Sequence, residues 1–346
     1  MQNKVPCALL FNDVHVSKDN IPEFHKNWDE ALAICKERDI PEIIIGGDLW
    51  QSRSSQTLST LMAVRHAIMK ATAAGLELTL AEGNHDLVDQ ESLLGYSHLF
   101  SEYPGVHVVD DYTVIEYPSC VLYVMSYFPE NGSFVNRLAD IVSKDLNKKE
   151  HNILYIHEGI NGALSVPSDD ELPTEIFSDF DVVLVGHYHN RCHIKNTKIE
   201  YIGSSRQHNF GEDEEKGYTV LYDDGSYEFI KNQVNLRYQV LDLALDEVNN
   251  DLMQQLGDIK SDGRYKTKVR VSCKSTDVSS IDKAKLLEAG ASKVEIVTEQ
   301  TIVSPIIEQS LDKKFDKNGI KQEYSNFCSE RVIDATMGME YLDKIN

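Results

Sequence analysis

Five short apolar segments, each running straight into a cluster of Asp, Asn or His, constrain this chain more than any other feature. Val5–Phe11 leads to Asn12, Asp13 and His15, and Glu42–Gly47 leads to Asp48. Leu76–Ala81 leads to Gly83, Asn84, His85 and Asp86, Asn152–Ile156 to His157, and Asp181–Val185 to Gly186, His187, Tyr188 and His189. Continuous β-branched and aliphatic runs of this length suit strands buried on both faces. Between them, Asn27–Arg38 and Thr57–Ala74 carry apolar residues at helical spacing. Strands covered on both faces, with helices between, imply a layered α/β arrangement whose polar strand ends converge on one rim.

The remainder reads as smaller units. Tyr218–Tyr222 and Tyr227–Ile230 alternate around Asp224-Gly225, which predicts a hairpin. Strand-like Arg237–Leu243, helix-like Leu245–Leu256, strand-like Thr267–Cys273, helix-like Asp282–Ala289 and strand-like Lys293–Thr298 follow in β-α-β-α-β order. The expected division is residues 1–232, a small α+β domain over 233–300, and a helical tail over 301–346. In that tail Ile306, Ile307, Leu311 and Phe315 form one apolar stripe, costly to leave in water.

The net charge of −22 argues against a chain that grips nucleic acid by bulk electrostatics alone. The acidity is uneven: residues 1–230 hold 17 basic and 37 acidic side chains, residues 231–346 hold 17 and 19. Six scattered cysteines form no C-x-x-C pair, and the start of the chain reads as a first strand with no export signal. Free thiols in the cytoplasm are the expectation. No apolar run reaches the roughly 18–20 residues that a membrane span needs.

Taken singly, D-x-H, G-D, G-N-H-D, a lone His and G-H-x-H are weak signals. All five in this order, each at the end of an apolar strand, point to one chemistry. Hydrolysis of a phosphodiester needs a nucleophile at neutral pH and stabilisation of charge on phosphate oxygens. Two cations roughly 3.5–4 Å apart supply both. Such a pair needs a carboxylate that touches both metals, and Asp48 is the natural bridge. Imidazole, carboxylate and amide oxygen suit Mn, Fe or Zn, and no Cys is offered.

The set resembles the calcineurin-like metallophosphoesterase superfamily, and within it the SbcD-type DNA repair and recombination nucleases, especially phage-encoded relatives. His157 in HEGINGA, the run Tyr201-Ile-Gly-Ser204 with Phe210-Gly-Glu212 and Lys216-Gly217, and the extra domain and tail after residue 234 carry the narrower resemblance. It implies a fold of two packed mixed β-sheets flanked by helices, with a small α+β capping domain and a helical tail. It implies one metal held by Asp13, His15, Asp48 and His189, and a second by Asp48, Asn84, His157 and His187. His85 would contact the phosphate and protonate the leaving oxygen, with Asp86 orienting it. Manganese is the metal it favours, ahead of Mg, Fe or Zn. A coiled-coil SbcC-like ATPase, DNA and a second copy of the chain are the partners it implies.

Two departures stand out. Gln51 occupies a place where the family has Asp or His, and Ser205 one where Pro is common. Lys266, Lys268, Arg270 and Lys274 share one face of a strand and are candidate DNA-backbone contacts, with Arg53, Arg206 and His208 as weaker candidates. The competing expectation is a phosphatase or phosphodiesterase acting on small phosphoesters with the same metal site.

Overall fold

The computed structural model describes residues 4–87, 94–128, 131–147, 149–164 and 171–298, with residues 324, 325, 328, 336, 338 and 339 in the tail. Residues 1–297 form one compact unit and 298–346 a second. The described tail residues are helical, while Ile306, Ile307, Leu311 and Phe315 lie outside the described residues.

Two six-stranded mixed sheets fill most of the first unit. The first is ordered β12-β11-β1-β2-β3-β4. Its members are β1 (Pro6–Phe11), β2 (Glu42–Gly46), β3 (Glu77–Ala81), β4 (Val106–Val109), β11 (Gly217–Tyr222) and β12 (Tyr227–Lys231). The second is ordered β5-β6-β7-β8-β10-β9. It contains β5 (Tyr112–Glu116), β6 (Cys120–Met125), β7 (His151–His157), β8 (Val182–Gly186), β9 (Cys192–His193) and β10 (Ile199–Tyr201). Strands β1 to β4 run parallel, as do β6, β7, β8 and β10, while the hairpin β11–β12 pairs antiparallel with β1. Parallel strands put their C-terminal ends on one side, which gathers the polar clusters there.

The inner faces meet through Ala8, Leu10, Ile44, Leu122, Val124, Ile153, Tyr155 and Leu184. Each large aliphatic side chain so buried contributes roughly 1.5–3 kcal/mol. At Gly46 a Cβ would fall 2.1 Å from the Tyr155 ring, so glycine lets the sheets close, and Tyr155 donates its hydroxyl to Asn12 at 2.8 Å. The outer face of the first sheet is covered by α1 (Ile21–Arg38) and α2 (Leu58–Ala73), that of the second by α3 (Asn131–Asp140). Thr57 caps α2 by accepting from the Thr60 amide. The result is the layered α/β fold of two packed mixed sheets flanked by helices.

A third sheet, β13 (Arg237–Ala244), β14 (Tyr265–Cys273) and β15 (Lys293–Thr298), carries α4 (Asn250–Asp262) and α5 (Lys283–Ala289). It packs its own core of Leu252, Leu256, Val269, Val271 and Leu286. The link from β12 is held in place: Asn235 Nδ2 donates to the Glu23 carbonyl at 2.7 Å, and the Leu236 amide to the Glu23 carboxylate at 2.8 Å. The basic face of β14 is present, but β14 is the central strand. Arg270 pairs with Asp242, its neighbour in register on β13, at 2.9 Å and with Glu295 at 3.4 Å, and Lys268 pairs with Glu295. Two of the four basic side chains of the expected stripe are thus neutralised by their own sheet, and Lys266 and Lys274 remain exposed.

Candidate metal centre

The loops that follow β1 and β2 are zipped together. Asp13 donates its amide to Gly47, His15 to Asp48, Val16 to Leu49, and Gln51 returns one to Val16, at 2.9–3.1 Å. This brings Asp13, His15 and Asp48 into one nest. The turn is sharp: Asp13, His15, Asp48 and His187 have φ of +52°, +48°, +54° and +88°. Left-handed backbone at a non-glycine residue costs roughly 1–3 kcal/mol and clusters at functional sites. Two glycines make room. A Cβ on Gly47 would lie 2.5 Å from His157 Nδ1, and one on Gly83 would lie 2.3 Å from Asp48 Oδ1. Gly83→Ala is therefore expected to push Asp48 aside and weaken divalent-cation binding by about tenfold or more in a folded protein, measurable by calorimetry with Mn as the probe beside a circular-dichroism control.

Seven residues converge. Asp13 Oδ1 lies 3.8 Å from the Nε2 atoms of His15, His157 and His189. Asp48 Oδ2 lies 3.3 Å from His157 and 3.5 Å from His15. His15 and His189 bring their Nε2 atoms to 3.1 Å, and Asn84 Oδ1 lies 3.3 Å from His187 Nδ1. Two groups, Asp13–His15–His189 and Asp13–Asp48–His157, each keep their ligand atoms within 4.8 Å of one another. Ligands bonded at about 2.1 Å to one cation lie no more than about 4.2 Å apart, a limit that the individual separations of 3.1–3.8 Å meet. Asp13 Oδ1 and His157 Nε2 are buried with no hydrogen-bond partner, although buried polar atoms are nearly always paired. Oxygen and imidazole donors without thiol suit a divalent transition metal.

Ring orientation is fixed from behind, as at metal-binding histidines generally. His157 donates Nδ1–H to the Gly46 carbonyl at 2.9 Å, which leaves Nε2 to face the site. His189 donates Nδ1–H to Glu212 at 2.8 Å. Glu212 is a carboxylate behind the site that the strand-end pattern does not reveal, because it sits in a turn-rich segment far along the chain. His85 donates its amide to Asp48 Oδ1 at 2.8 Å and its Nδ1–H to the Gln51 carbonyl at 2.9 Å. Its Nε2 is therefore free to face a ligand. The Gln51 backbone, and not its exposed side chain, does this orienting.

Asp86 and Arg206 differ from expectation. The Asp86 carboxylate accepts from the amides of Asp48, Gly83 and Trp50 at 2.7, 2.7 and 2.9 Å, so it braces the loop under Asp48 and is not the group that orients His85. Burial and the Asp48 charge push it up to about 7 despite those bonds. Arg206 is 4% exposed and donates to the carbonyls of Val14 and His15, so it is a brace and not a surface contact. Ser205 donates its amide to the Asn12 carbonyl at 3.3 Å, a bond that Pro could not make. Arg53 is half-buried, and its carbonyl accepts from Tyr96.

Burial opposes charge on His157, but Asp48 and then Asp13 outweigh it and carry His157 up to about 10. Burial would raise Asp48, yet the His157 charge holds it well below the usual carboxylate range. Burial keeps His15 well below the usual imidazole range, and burial with the nearby His157 charge takes His187 down to about 3, so both offer lone pairs. A cation entering here must displace the His157 proton. The affinity for a divalent cation, read with Mn as the probe, is expected to rise with pH while His157 and His189 still carry protons, with proton release on binding. Calorimetry in two buffers of different ionisation enthalpy measures that proton. No release would contradict this assignment.

The sequence profile of the calcineurin-like phosphoesterase family matches residues 8–191, more than half of the chain and all the strands that carry these ligands. The chain belongs to the calcineurin-like phosphoesterase family. A protein of Invertebrate iridescent virus 6 named as phosphoesterase 244L is 24% identical over 281 residues, covering 78% of this chain and 94% of its own length. The crystal structure of Pseudomonas putida nuclease MPE is 20% identical, covering 55% of this chain and 65% of that one, with a TM-score of 0.29. A cold-active protein-tyrosine phosphatase of a psychrophilic Shewanella is 14% identical, covering 66% and 81%, with a TM-score of 0.28. Similarity at these TM-scores carries no argument about chemistry. The family is metal-dependent, and the Asp/His nest of this phosphoesterase is a fitting metal site.

Proposed function

We propose that this phosphoesterase is a two-metal DNA nuclease, exonucleolytic and endonucleolytic, and the nuclease subunit of an SbcCD-like repair or recombination complex. The observation that carries this reading is an aromatic and cationic group on and against the segment that follows His208. Phe210, two residues beyond His208, sets its ring edge-on to Tyr238 of β13 at 5.1 Å, and the Lys266 ammonium lies 5.3 Å over the Tyr238 ring. Flat aromatic faces with a neighbouring cation suit a nucleotide strand that continues past the cleaved bond.

Asp13, His15, Asp48 and His189 would hold one cation, and Asp48, Asn84, His157 and His187 the other, with manganese the metal of choice. Bound there, the pair supplies a nucleophile at neutral pH and neutralises charge on phosphate oxygens. His85 touches the phosphate and passes a proton from Nε2 to the leaving oxygen, while the Gln51 carbonyl fixes its ring. Asp48 receives the His85 amide and thereby sets that ring's distance from the metal ligands.

Partners follow from the same reading. Leu58, Met62 and Met69 are 75%, 50% and 43% exposed on α2 and suit docking of a second copy. An SbcC-like ATPase would supply positive field for DNA that a chain of net charge −22 lacks. The cysteines among the described residues are free, which suits the cytoplasm, and no helix among those residues is long and apolar enough to cross a membrane.

The second reading, hydrolysis of small phosphoesters, is favoured by the pairing of Lys268 and Arg270 with Glu295 and Asp242 of their own sheet. End-labelled linear DNA incubated with the full chain and Mn separates the two. Chelator-sensitive degradation is expected. Hydrolysis of bis-p-nitrophenyl phosphate with the DNA left intact would support the second reading instead.

A further inference from the structure

The two groups of candidate ligands share Asp13, but their remaining members are braced by different parts of the chain. The Asp48–His157 side is held by strand-end neighbours: Asp86 accepts from the Asp48 amide at 2.7 Å, and Gly46 from His157 Nδ1 at 2.9 Å. The Asp13–His15–His189 side is held from one loop, residues 204–216. Arg206 donates from Nη2 to the His15 carbonyl at 3.4 Å and to that of Val14 at 2.9 Å. His208 donates from Nε2 to the Asp13 carbonyl at 2.7 Å, its ring 5.1 Å from that of His15 and 4.9 Å from that of His189. Glu212 takes the His189 Nδ1–H at 2.8 Å and the His208 amide at 3.0 Å, and buried Lys216 donates to the His189 carbonyl at 2.6 Å.

The same loop is fastened to the third sheet by one side chain. Gln207 is 1% exposed. Its amide brackets Tyr238 as a neighbouring strand would, accepting from the Tyr238 N–H at 2.8 Å and donating to the Tyr238 carbonyl at 2.9 Å. Its Nε2 also donates to the Glu212 carbonyl at 2.8 Å. Hydrogen bonds thus run without a gap from β13 through Gln207 and Glu212 to His189.

We propose that Gln207 and Glu212 are positioning residues through which the third sheet controls the Asp13–His15–His189 metal position, leaving the Asp48–His157 position untouched. A carboxylate behind a metal-binding imidazole sets its aim and basicity, and its loss lowers metal affinity about 10–100-fold. Gln207 cannot keep its bonds to both Tyr238 and Glu212 if β13 shifts. The Glu212 backbone then loses its anchor, and His189 loses its aim. A DNA strand or protein that moves the third sheet thereby fills or empties one of two metal positions. The inference rests on the two-metal reading above.

Mn titrations of the full chain test it, followed by calorimetry and by the electron paramagnetic resonance signal of free Mn, for the wild type, Glu212→Gln and Gln207→Met. Two bound Mn are expected in the wild type. In each variant one position should weaken about 10–100-fold and the other keep its affinity, even though Gln207 hydrogen-bonds to no ligand side chain. Added Mn should restore hydrolysis. Fewer than two Mn in the wild type would remove the two-metal reading itself. Two Mn in the wild type, with both positions or neither weakened in the variants, would overturn the present inference and leave that reading standing. If Glu212→Gln does not fold, Gln207→Met carries the same comparison.

Discussion

His85→Ala is expected to keep full Mn binding and to lower the rate of phosphodiester cleavage about 10²–10⁴-fold, the usual contribution of a positioned acid or base. The reason lies in which atoms His85 uses. Its amide is spent on Asp48 Oδ1 and its Nδ1–H on the Gln51 carbonyl, so the side chain beyond Nδ1 is the part the substrate meets. Truncation leaves the backbone amide and hence the Asp48 bond in place. Mn stoichiometry by calorimetry, beside cleavage rates with a good and a poor leaving group, reads both effects. A rate within threefold of wild type on the poor leaving group would remove His85 from proton transfer. A large loss that vanishes with a leaving group needing no proton would support it.

Asp48→Asn should act at the opposite end of the chemistry, with cleavage falling to the level seen with chelator and at least one Mn lost. Asparagine keeps the shape and tolerates the left-handed backbone at this position, so the change removes charge and little else. The metal-free protein should respond as well. His157 is raised to about 10 in the folded state, above the roughly 6.5 of a free imidazole, mainly by Asp48 acting against burial. The stability it contributes is complete below pH ~6.5 and is lost as pH climbs towards 10. Removing one partner of a buried pair costs about 3–5 kcal/mol. Urea unfolding of the two metal-free proteins at pH 6 and pH 9 should give a gap that shrinks at the higher pH. A gap that is equal at both would contradict the pairing of Asp48 with His157.

The convergence of the candidate ligands is legible in the sequence for a mechanical reason. Asp13, Asp48, Asn84, His157 and His187 each follow a run of buried apolar residues, and parallel pairing delivers those ends to one rim. Strands β5 and β6 escape the same reading because no Asp, Asn or His cluster follows them, and the Asp110-Asp111 pair that follows β4 stands in the chain without an imidazole beside it. The braces are less legible. Arg206 and His208 look like surface groups in a polar segment, yet their partners are carbonyls some 190 residues earlier in the chain. Pairing of Arg270 with Asp242 depends on the register of β13 against β14, which no spacing within β14 discloses. Glu212 has the same difficulty: its chemistry is ordinary, and only the folded loop places it behind His189.

The left-handed turns at Asp13, His15, Asp48 and His187 set stability and chemistry against each other. Glycine would relax the chain at any of these places, and asparagine would suit it better than histidine. A library screened only for heat resistance should therefore drift towards those two residues at His15 and His187, while the buried pairing of Asp13 and Asp48 with His157 holds the two carboxylates in place. Keeping imidazole at the two histidine positions requires that hydrolysis itself be selected.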